Sequence, residues 1–500
     1  MSVRVASASE SAAIDAAAIS GGIPSRALMR VAAANAATLI AARCGGGSHA
    51  VTVYTGPGNN GADGWAVARS LTLSGVRVDV REIVGPASVE GVAERAAFRE
   101  CSSDAAREGT PHGVVVDALL GTGSTGVPRG AIADAVREIN ARRDRGAFVI
   151  ALDVPTGLDA TSGEADGSVR ADLTISFGTC KRGTLSARGA CGEIAVVDIG
   201  LAGMRDELPL LVDGAFVRGN TPVIPATAHK GTRGKLAIVA GGAGLGGAAI
   251  LAAEGALRSG IGLVKVFTDE MNVGSLHARL PEALTGRLTE ATAAISDWAD
   301  AVLIGPGLGR DDSARALVHD VLESWRGPVV VDADALNVFD GCLGDLARLL
   351  SGRPALITPH PEEMARLVLR DVKDVLANRF VIGTDVARAL GAAVLLKGTP
   401  TVITSPGGAR HVVAAGTPAL ATGGSGDALG GMIATLLAQG CVPAIAAACA
   451  AWVHGRAAEL TPGVRGFTLT DVLERLSEAW RLDRAAGSIY PVLAALPAVA

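Results

Sequence analysis

From residue 50 onward the chain alternates short runs of valine, isoleucine and leucine with alanine-rich stretches, and the runs tend to stop at glycine, asparagine or aspartate. Runs of roughly four to eight apolar residues without polar alternation read as strands buried on both faces, as in a parallel sheet covered by helices. In the first half these are Ala50–Tyr54, Val76–Ile83, Val114–Ala118 and Phe148–Leu152. In the second they are Lys235–Ala240, Gly262–Phe267, Ala301–Ile304, Pro328–Val331, Ala355–Ile357, Ala393–Leu396 and Thr401–Thr404. Helical stretches such as Ala62–Leu73 lie between them, an order that predicts doubly wound α/β sheets. Aromatic residues make up 3% of the chain while glycine numbers 65, so its cores are built from small aliphatic side chains joined by tight turns.

One core rarely grows to 500 residues, so two domains are expected. The alternation falters between about Gly200 and His229, where prolines and charges replace the apolar period. The reading is a domain over 1–210, a second over 220–485, and an alanine-rich tail over 486–500 with no assigned role. The two series do not look like copies of one repeat.

The formal charge of -5 is small for this length and argues against nucleic acid or an anionic membrane as partner. Seven dispersed cysteines without a C-x-x-C pair read as free thiols in a reducing compartment, and the N-terminus lacks a signal-like apolar stretch. The cytoplasm is the expected location. Gly430 to Gly455 carries no charge, but Gln439, Gly440 and Pro443 interrupt it, so two buried helices joined by a turn are expected rather than a membrane span.

After the first strand comes Gly56-Pro57-Gly58-Asn59-Asn60-Gly61-Ala62-Asp63-Gly64, then a helix. Alone, such a loop is either a tight turn or an anion cradle at a helix start. The added amide oxygens and carboxylate suit a hard cation as well. Two further strands end on carboxylates: Val116-Asp117-Ala118 before Gly121-Thr122-Gly123-Ser124-Thr125-Gly126-Val127, and Leu152-Asp153-Val154-Pro155-Thr156-Gly157. Ligands of open α/β sheets bind beyond the carboxyl ends of strands. Asp63, Asp117 and Asp153 are therefore expected in one crevice, although a single such aspartate is usually a cap or turn former.

GPGNNGADG, VDALLGTG, DVPTGLDATSG and ADLTISFGTCKRG, with the early IPSRALM segment, resemble successive motifs of the NAD(P)H-hydrate epimerase family, the YjeF N-terminal domain. The resemblance covers roughly residues 1–205. It implies a Rossmann-like fold that interconverts the R and S forms of nicotinamide cofactors hydrated at C6 of the reduced ring. By position, Asn59, Asn60, Gly61, Ala62, Asp63 and Gly121 through Val127 (Thr122, Gly123, Ser124, Thr125 and Gly126 between them) would cradle the substrate. Asp153 would be the acid/base, and Asn60, Asp117 and Thr156 would hold K+. The chain departs from the family at Ala62, where glycine is usual, at Thr156 for serine, and at Arg30 for glutamate.

In the second half, Ala421-Thr422-Gly423-Gly424-Ser425-Gly426-Asp427 runs into an apolar helix. Amides at such a start face an anion, and Asp427 either stabilises the helix dipole or takes a proton from a hydroxyl beside a phosphoryl group. Lys397-Gly398-Thr399-Pro400-Thr401, Thr358-Pro359-His360-Pro361-Glu362-Glu363, Gly305-Pro306-Gly307-Leu308-Gly309 and Asp332-Ala333-Asp334 end four other strands. For the last, turn formation is the plainer account.

With His229-Lys230-Gly231 and GALRSGIGLVKV, these motifs resemble the ADP/ATP-dependent NAD(P)H-hydrate dehydratase family over roughly Thr227 to Arg475. The resemblance implies a ribokinase-like fold that phosphorylates the hydrate's hydroxyl transiently and eliminates phosphate to restore NADH or NADPH. By position, Lys397, Gly398, Thr399, Pro400, Thr401 and Gly426 would bind nucleotide, with ADP favoured over ATP and Mg2+ accompanying it. Gly307, His360 and Asp427 would bind the hydrate, with Asp427 as base. Glu362 stands where glycine is usual, and Ala243 where serine is usual. A homo-oligomer is expected. The alternative is a ribokinase-class kinase of a vitamin precursor with a non-catalytic N-terminal module.

Overall fold

The computed structural model describes residues 2–43, 50–101, 113–201, 206–482 and 489–499. The chain divides into two compact units, Met1–Leu211 with Ser488–Ala500, and Val212–Gly487.

The first unit is built on a seven-stranded sheet. Its order is Val492–Leu496, Glu193–Val197, Leu173–Phe177, Phe148–Leu152, Val114–Ala118, Val51–Thr55 and Val78–Glu82. All neighbours are parallel except Val492–Leu496, which runs antiparallel to Glu193–Val197. The chain leaves Val51–Thr55 for Val78–Glu82 on one side, then returns to Val114–Ala118 on the other. A crevice opens where the order reverses, and the loops after Thr55 and Ala118 flank it. Val51–Thr55 and Val114–Ala118 are wholly buried, as their unbroken apolar character requires.

Three strands of this sheet lay outside the sequence reading. Leu173–Phe177 alternates with polar residues, yet all five are buried. Thr174 and Ser176 satisfy their hydroxyls by donating to Cys191 O at 2.8 Å and Thr179 O at 3.0 Å, which removes the cost of burying them. Glu193–Val197 begins on a charge that pairs at the surface with Arg43. The alanine-rich tail, expected to carry no element, supplies Val492–Leu496 as an edge strand.

Arg30, where the sequence departs from the family it resembles, ion-pairs at 2.9 Å with Glu94, which also takes Arg26. Glu94 is fully buried on the Val89–Cys101 helix. The opposite charge is thus supplied from a neighbouring helix. Ala62, a second departure, lies within the Asn59–Leu73 helix, and Gly91 on Val89–Cys101 leaves room for its methyl group. No special backbone freedom is needed there.

Within the second unit nine strands run in the order Leu284–Arg287, Leu263–Thr268, Lys235–Val239, Ala301–Ile304, Val329–Val331, Ala355–Ile357, Ala393–Leu396, Thr401–Thr404 and Arg410–Val413. The first seven are mutually parallel and the last two turn back antiparallel. The order again reverses beside the first strand in sequence, between Lys235–Val239 and Ala301–Ile304. Alternate residues face two cores. Leu236 and Ile238 pack with Ala252, Ala256 and Ile433, whereas Ala237 and Val239 pack with Val318, Leu322 and Leu336. The segment between Gly200 and His229 holds a helix, Gly214–Asn220, whose N-terminus is capped by Asp213.

The uncharged stretch forms two helices, Ser425–Ala438 and Pro443–Glu459, both largely buried. Among the described residues no helix is long and apolar enough to cross a membrane. Ser425–Ala438 lies against Gly246–Arg258 at close range. A Cβ on Gly431 would stand 1.9 Å from Ala252 O, and one on Gly255 would stand 2.3 Å from Ala428 O. Glycine at both positions lets the two backbones touch, and this contact fixes where the first turn bearing Asp427 sits.

Candidate functional site

The crevice of the first unit is a pocket of about 530 Å³. Asn59, Asn60, Asp63, Gly121, Thr122, Gly123, Ser124 and Asp153 line it, as the sequence predicts. Gly61 and Ala62 do not: they turn into the protein, where Gly61 packs on Gly56 O and Ala62 is fully buried. Thr125, Gly126 and Val127 stand exposed on the outer part of their loop, beyond the pocket wall. The cradle is therefore shorter than its motif.

Asp117, expected in the crevice, lies beneath it. Opposite Tyr54 and Ala151 in the sheet, it is wholly buried. Its Oδ2 accepts from Thr156 N at 2.8 Å, and its Oδ1 accepts from Thr156 Oγ1 at 2.7 Å and Leu119 N at 3.2 Å. Leu120 O accepts from both Asn60 Nδ2, at 2.9 Å, and Thr156 Oγ1, at 3.3 Å. Asn60 and Thr156 thus meet at one carbonyl, and Asp117 is joined to it through Thr156. Asn60 Oδ1 is buried without a partner, and burial raises the Asp117 carboxyl to about 6 in spite of its hydrogen bonds. An orphaned amide oxygen beside a buried carboxylate with no cation paired to it is the environment a monovalent cation fits.

Asp153 ends its strand with φ 63°, in the left-handed region that a non-glycine residue adopts only when its surroundings hold it there. Its Oδ1 accepts from Phe177 N at 3.2 Å and forms an ion pair with Lys181. Lys181 and Asp15 also line the pocket, and sequence reasoning missed both. Lys181 follows a strand whose polar alternation concealed it. Asp15 lies four residues from Ser11 and from Ile19 on one helical face, and all three line the pocket. That periodicity was the available signal.

In the second unit the loops converge at the carboxyl ends of the parallel strands. Gly241 N and Gly242 N donate to Pro306 O and Gly307 O at 2.9 and 2.7 Å, and Lys397 N donates to Pro359 O at 2.9 Å. His360 caps the Pro361–Val368 helix, its Nδ1 accepting from Glu362 N at 3.1 Å and Glu363 N at 3.3 Å. In the neutral ring that leaves Nε2 as the protonated nitrogen. Glu363 Oε2 accepts from the His360 backbone N at 2.8 Å, and its Oε1 stands 3.4 Å from the imidazole Nε2. Burial, then Lys397, lowers the His360 pKa.

Lys397 is not free beside the Gly424–Gly426 turn. Its Nζ donates to Asp332 Oδ1 at 2.8 Å, and Asp332 is almost completely buried. A buried carboxylate demands a counter-charge, and this lysine supplies it. Asp334, two residues on, accepts from Gly309 N at 3.0 Å and pairs with Arg310, the turn-forming role. Gly426 lies over the ammonium: a Cβ there would stand 3.1 Å from Lys397 Nζ. Thr401 closes the loop by donating to Gly398 O at 3.0 Å. Arg379, unnoticed in the sequence, underlies the same loop and donates to Pro400 O at 2.9 Å and Lys397 O at 3.3 Å.

Asp427 stands in the first turn of Ser425–Ala438, half-buried. Burial, then Asp332, raises its carboxyl to about 7 despite Lys397, with Asp334 and Glu363 adding to the rise. A carboxyl near neutrality beside glycine-flanked helix amides can exchange a proton while an anion is held. Among the described residues no three His, Cys, Asp or Glu side chains group as a metal cage.

The chain matches the family model described as NAD(P)H-hydrate dehydratase over residues 236–479, and that of the YjeF-related protein N-terminus over 25–183. It is 35% identical over 461 residues to the bifunctional NAD(P)H-hydrate repair enzyme Nnr of Moorella thermoacetica, covering 83% of this chain and 84% of that protein. With the Nnr of Escherichia coli it shares 35% over 446 residues, covering 85% and 84%. For the Nnr of Coxiella burnetii the figures are 36% over 450 residues, 85% and 89%. An ADP/ATP-dependent NAD(P)H-hydrate dehydratase from Bacillus subtilis, co-crystallized with ATP/Mg2+, is 31% identical with a TM-score of 0.48, covering 54% of this chain and 96% of its own. Relatives that span both halves set aside a lone kinase with a binding module.

Proposed function

This chain belongs to the family of bifunctional NAD(P)H-hydrate repair enzymes, and from that premise we propose how its residues divide the work. It epimerises R- and S-NAD(P)H hydrate and dehydrates the S form with an adenine nucleotide as co-substrate. In the first unit, Asn59, Asn60, Asp63 and Gly121 through Ser124 hold the hydrated nicotinamide, and Asp153 exchanges the proton at its C6 hydroxyl. Asn60, Asp117 and Thr156 hold K+, whose charge keeps Asp117 ionised and the Leu119–Leu120 turn in place.

In the second unit, the amides of Gly424 through Gly426 and the Lys397–Thr401 loop receive the nucleotide. ADP is the proposed donor, with Mg2+ arriving on its phosphates. Gly307 and His360 position the hydrate, with Glu363 Oε1 standing 3.4 Å from the imidazole Nε2. Asp427 takes the hydroxyl proton as the oxygen attacks the terminal phosphoryl group. Elimination of phosphate then restores the reduced ring. The observation that carries this reading is Asp427 at the glycine-flanked start of its helix, its carboxyl raised to about 7 by burial and in no ion pair among the described residues, with the nearby Lys397 paired to Asp332. The enzyme works in the cytoplasm as a homo-oligomer.

The test is to supply S-hydrate with ADP or ATP. Equal release of inorganic phosphate and reduced cofactor supports the reading, with ADP the faster donor. A phosphorylated hydrate that accumulates without reduced cofactor contradicts it.

A further inference from the structure

The pocket of the first unit holds more acid than one proton shuttle uses. Asp15, Asp63 and Asp153 all line it together with Lys181. An ammonium has three N–H donors. Lys181, itself buried, gives them to Asp153 Oδ1, to Phe177 O at 2.9 Å and to Thr179 O at 3.3 Å. With Phe177 N also on Asp153 Oδ1, the hydrogen bonds given to this carboxylate fall on Oδ1, and the residue lines the pocket. Asp63 has no share in the ammonium. It sits in the first turns of Asn59–Leu73, where burial, then Asp153, then Asp15 push its carboxyl well above the usual range against the pull of Lys181. One carboxyl group comes from a helix and the other from a strand end, and they differ in charge balance: Asp153 pairs with Lys181, whereas among the described residues Asp63 forms no ion pair. Environments that separate two carboxyl groups in this way assign one as acid and the other as base.

We propose that Asp63 is a second proton-transfer residue of the epimerase, partnered with Asp153, and that Lys181 is the residue that positions Asp153. The inference rests on the epimerase reading of this unit. In one direction Asp63 gives its proton to the C6 hydroxyl. The C6–O bond breaks with its electron pair on oxygen, water departs, and the N1 lone pair forms a C6=N1 iminium. Water adds to the other face of C6, the C=N electrons return to N1, and the proton shed by that water passes to the Asp153 carboxylate. Exchange with water in the open pocket returns a proton to Asp63 and removes one from Asp153, so nothing is gained or lost overall. In the reverse direction the two carboxyl groups exchange roles.

The test uses the full chain, pure R-hydrate without nucleotide, and separation of the epimers with time. Asp63→Asn is expected to lower kcat for exchange by roughly 100-fold or more while KM stays within about threefold. Dehydration of S-hydrate with ADP by the same preparation stays at the parent rate, which reports on the second unit, and the retained KM for exchange reports that the pocket of the first unit is folded. Lys181→Met removes the ammonium that holds Asp153 Oδ1 and is expected to lower kcat for exchange by about tenfold or more while KM stays within about threefold. An Asp63→Asn protein that exchanges like its parent overturns the inference, as does one whose whole loss lies in KM. A Lys181→Met protein with the parent kcat, or one whose whole loss lies in KM, overturns the positioning role. A parent that shows no exchange overturns the epimerase reading, and this inference with it.

Discussion

Replacing Asp427 by asparagine separates its chemical work from its cost to the fold. The carboxyl is raised from 3.8 to about 7, first by burial and then by Asp332. Below pH 4 it is protonated in the folded and unfolded chain alike, and the shift costs nothing. Between about pH 4 and 7 the folded protein keeps a proton that the unfolded chain has released, so stability falls as pH rises through that window. Above it the full penalty applies. Three pKa units at about 1.4 kcal/mol each give about 4 kcal/mol. The side chain is partly open to water, and screening reduces this to roughly 2 kcal/mol. Asparagine of nearly the same shape carries no charge to desolvate. Asp427→Asn is therefore expected to raise the unfolding midpoint of the second unit by roughly 4 °C at pH 8 and to leave it unchanged at pH 4. Dehydration of S-hydrate falls by about 10²- to 10⁴-fold, the usual worth of a general base. Calorimetry across pH and reduced-cofactor absorbance read the two effects. A variant no more stable at pH 8 than its parent refutes the electrostatic argument, and one that keeps a tenth of the parent rate refutes the assigned role.

Three further substitutions probe the rest of the account. Asp153→Ala is expected to abolish R-to-S exchange and leave dehydration of S-hydrate intact; chromatographic separation of the epimers reads it, and equal exchange in variant and parent contradicts it. Asp117→Asn is expected to remove the K+ dependence of exchange, measured by titrating K+ into a K+-free buffer; an unchanged K+ response tells against the ion site. Arg379→Ala takes away the donors beneath the Lys397–Thr401 loop, and hydrogen bonds from a charged group are worth roughly 1.5–3 kcal/mol. It is expected to raise KM for ADP about tenfold or more while KM for the hydrate stays within about twofold.

The strands that position both sites were legible because a parallel strand buried on two faces leaves an unbroken apolar run. Val114–Ala118, Phe148–Leu152, Ala301–Ile304 and Ala393–Leu396 appear in the structure with those bounds. Leu173–Phe177 escaped because its buried hydroxyls are satisfied by partners that sequence does not reveal. The tail strand escaped because pairing nearly three hundred residues away in sequence leaves no local trace. Residues in glycine-rich loops were found because backbone approach to a ligand restricts residue type. Asp15 and Arg379 were not, and Asp332 and Glu363 were visible at strand ends without a role, since each acts through another side chain or a carbonyl and its meaning lies in the partner. Lys397 illustrates the same limit: its place at a strand end was visible, but the buried carboxylate that engages it was not.

The measurement that bears most directly on the whole account supplies an equal mixture of R- and S-hydrate with ADP and follows the return of near-ultraviolet absorbance alongside phosphate. Complete recovery is expected, far faster than spontaneous exchange of the R form, with one phosphate per reduced cofactor. Recovery that halts at the S fraction, or absorbance without phosphate, contradicts the claim that both units of this one chain act on the same damaged cofactor.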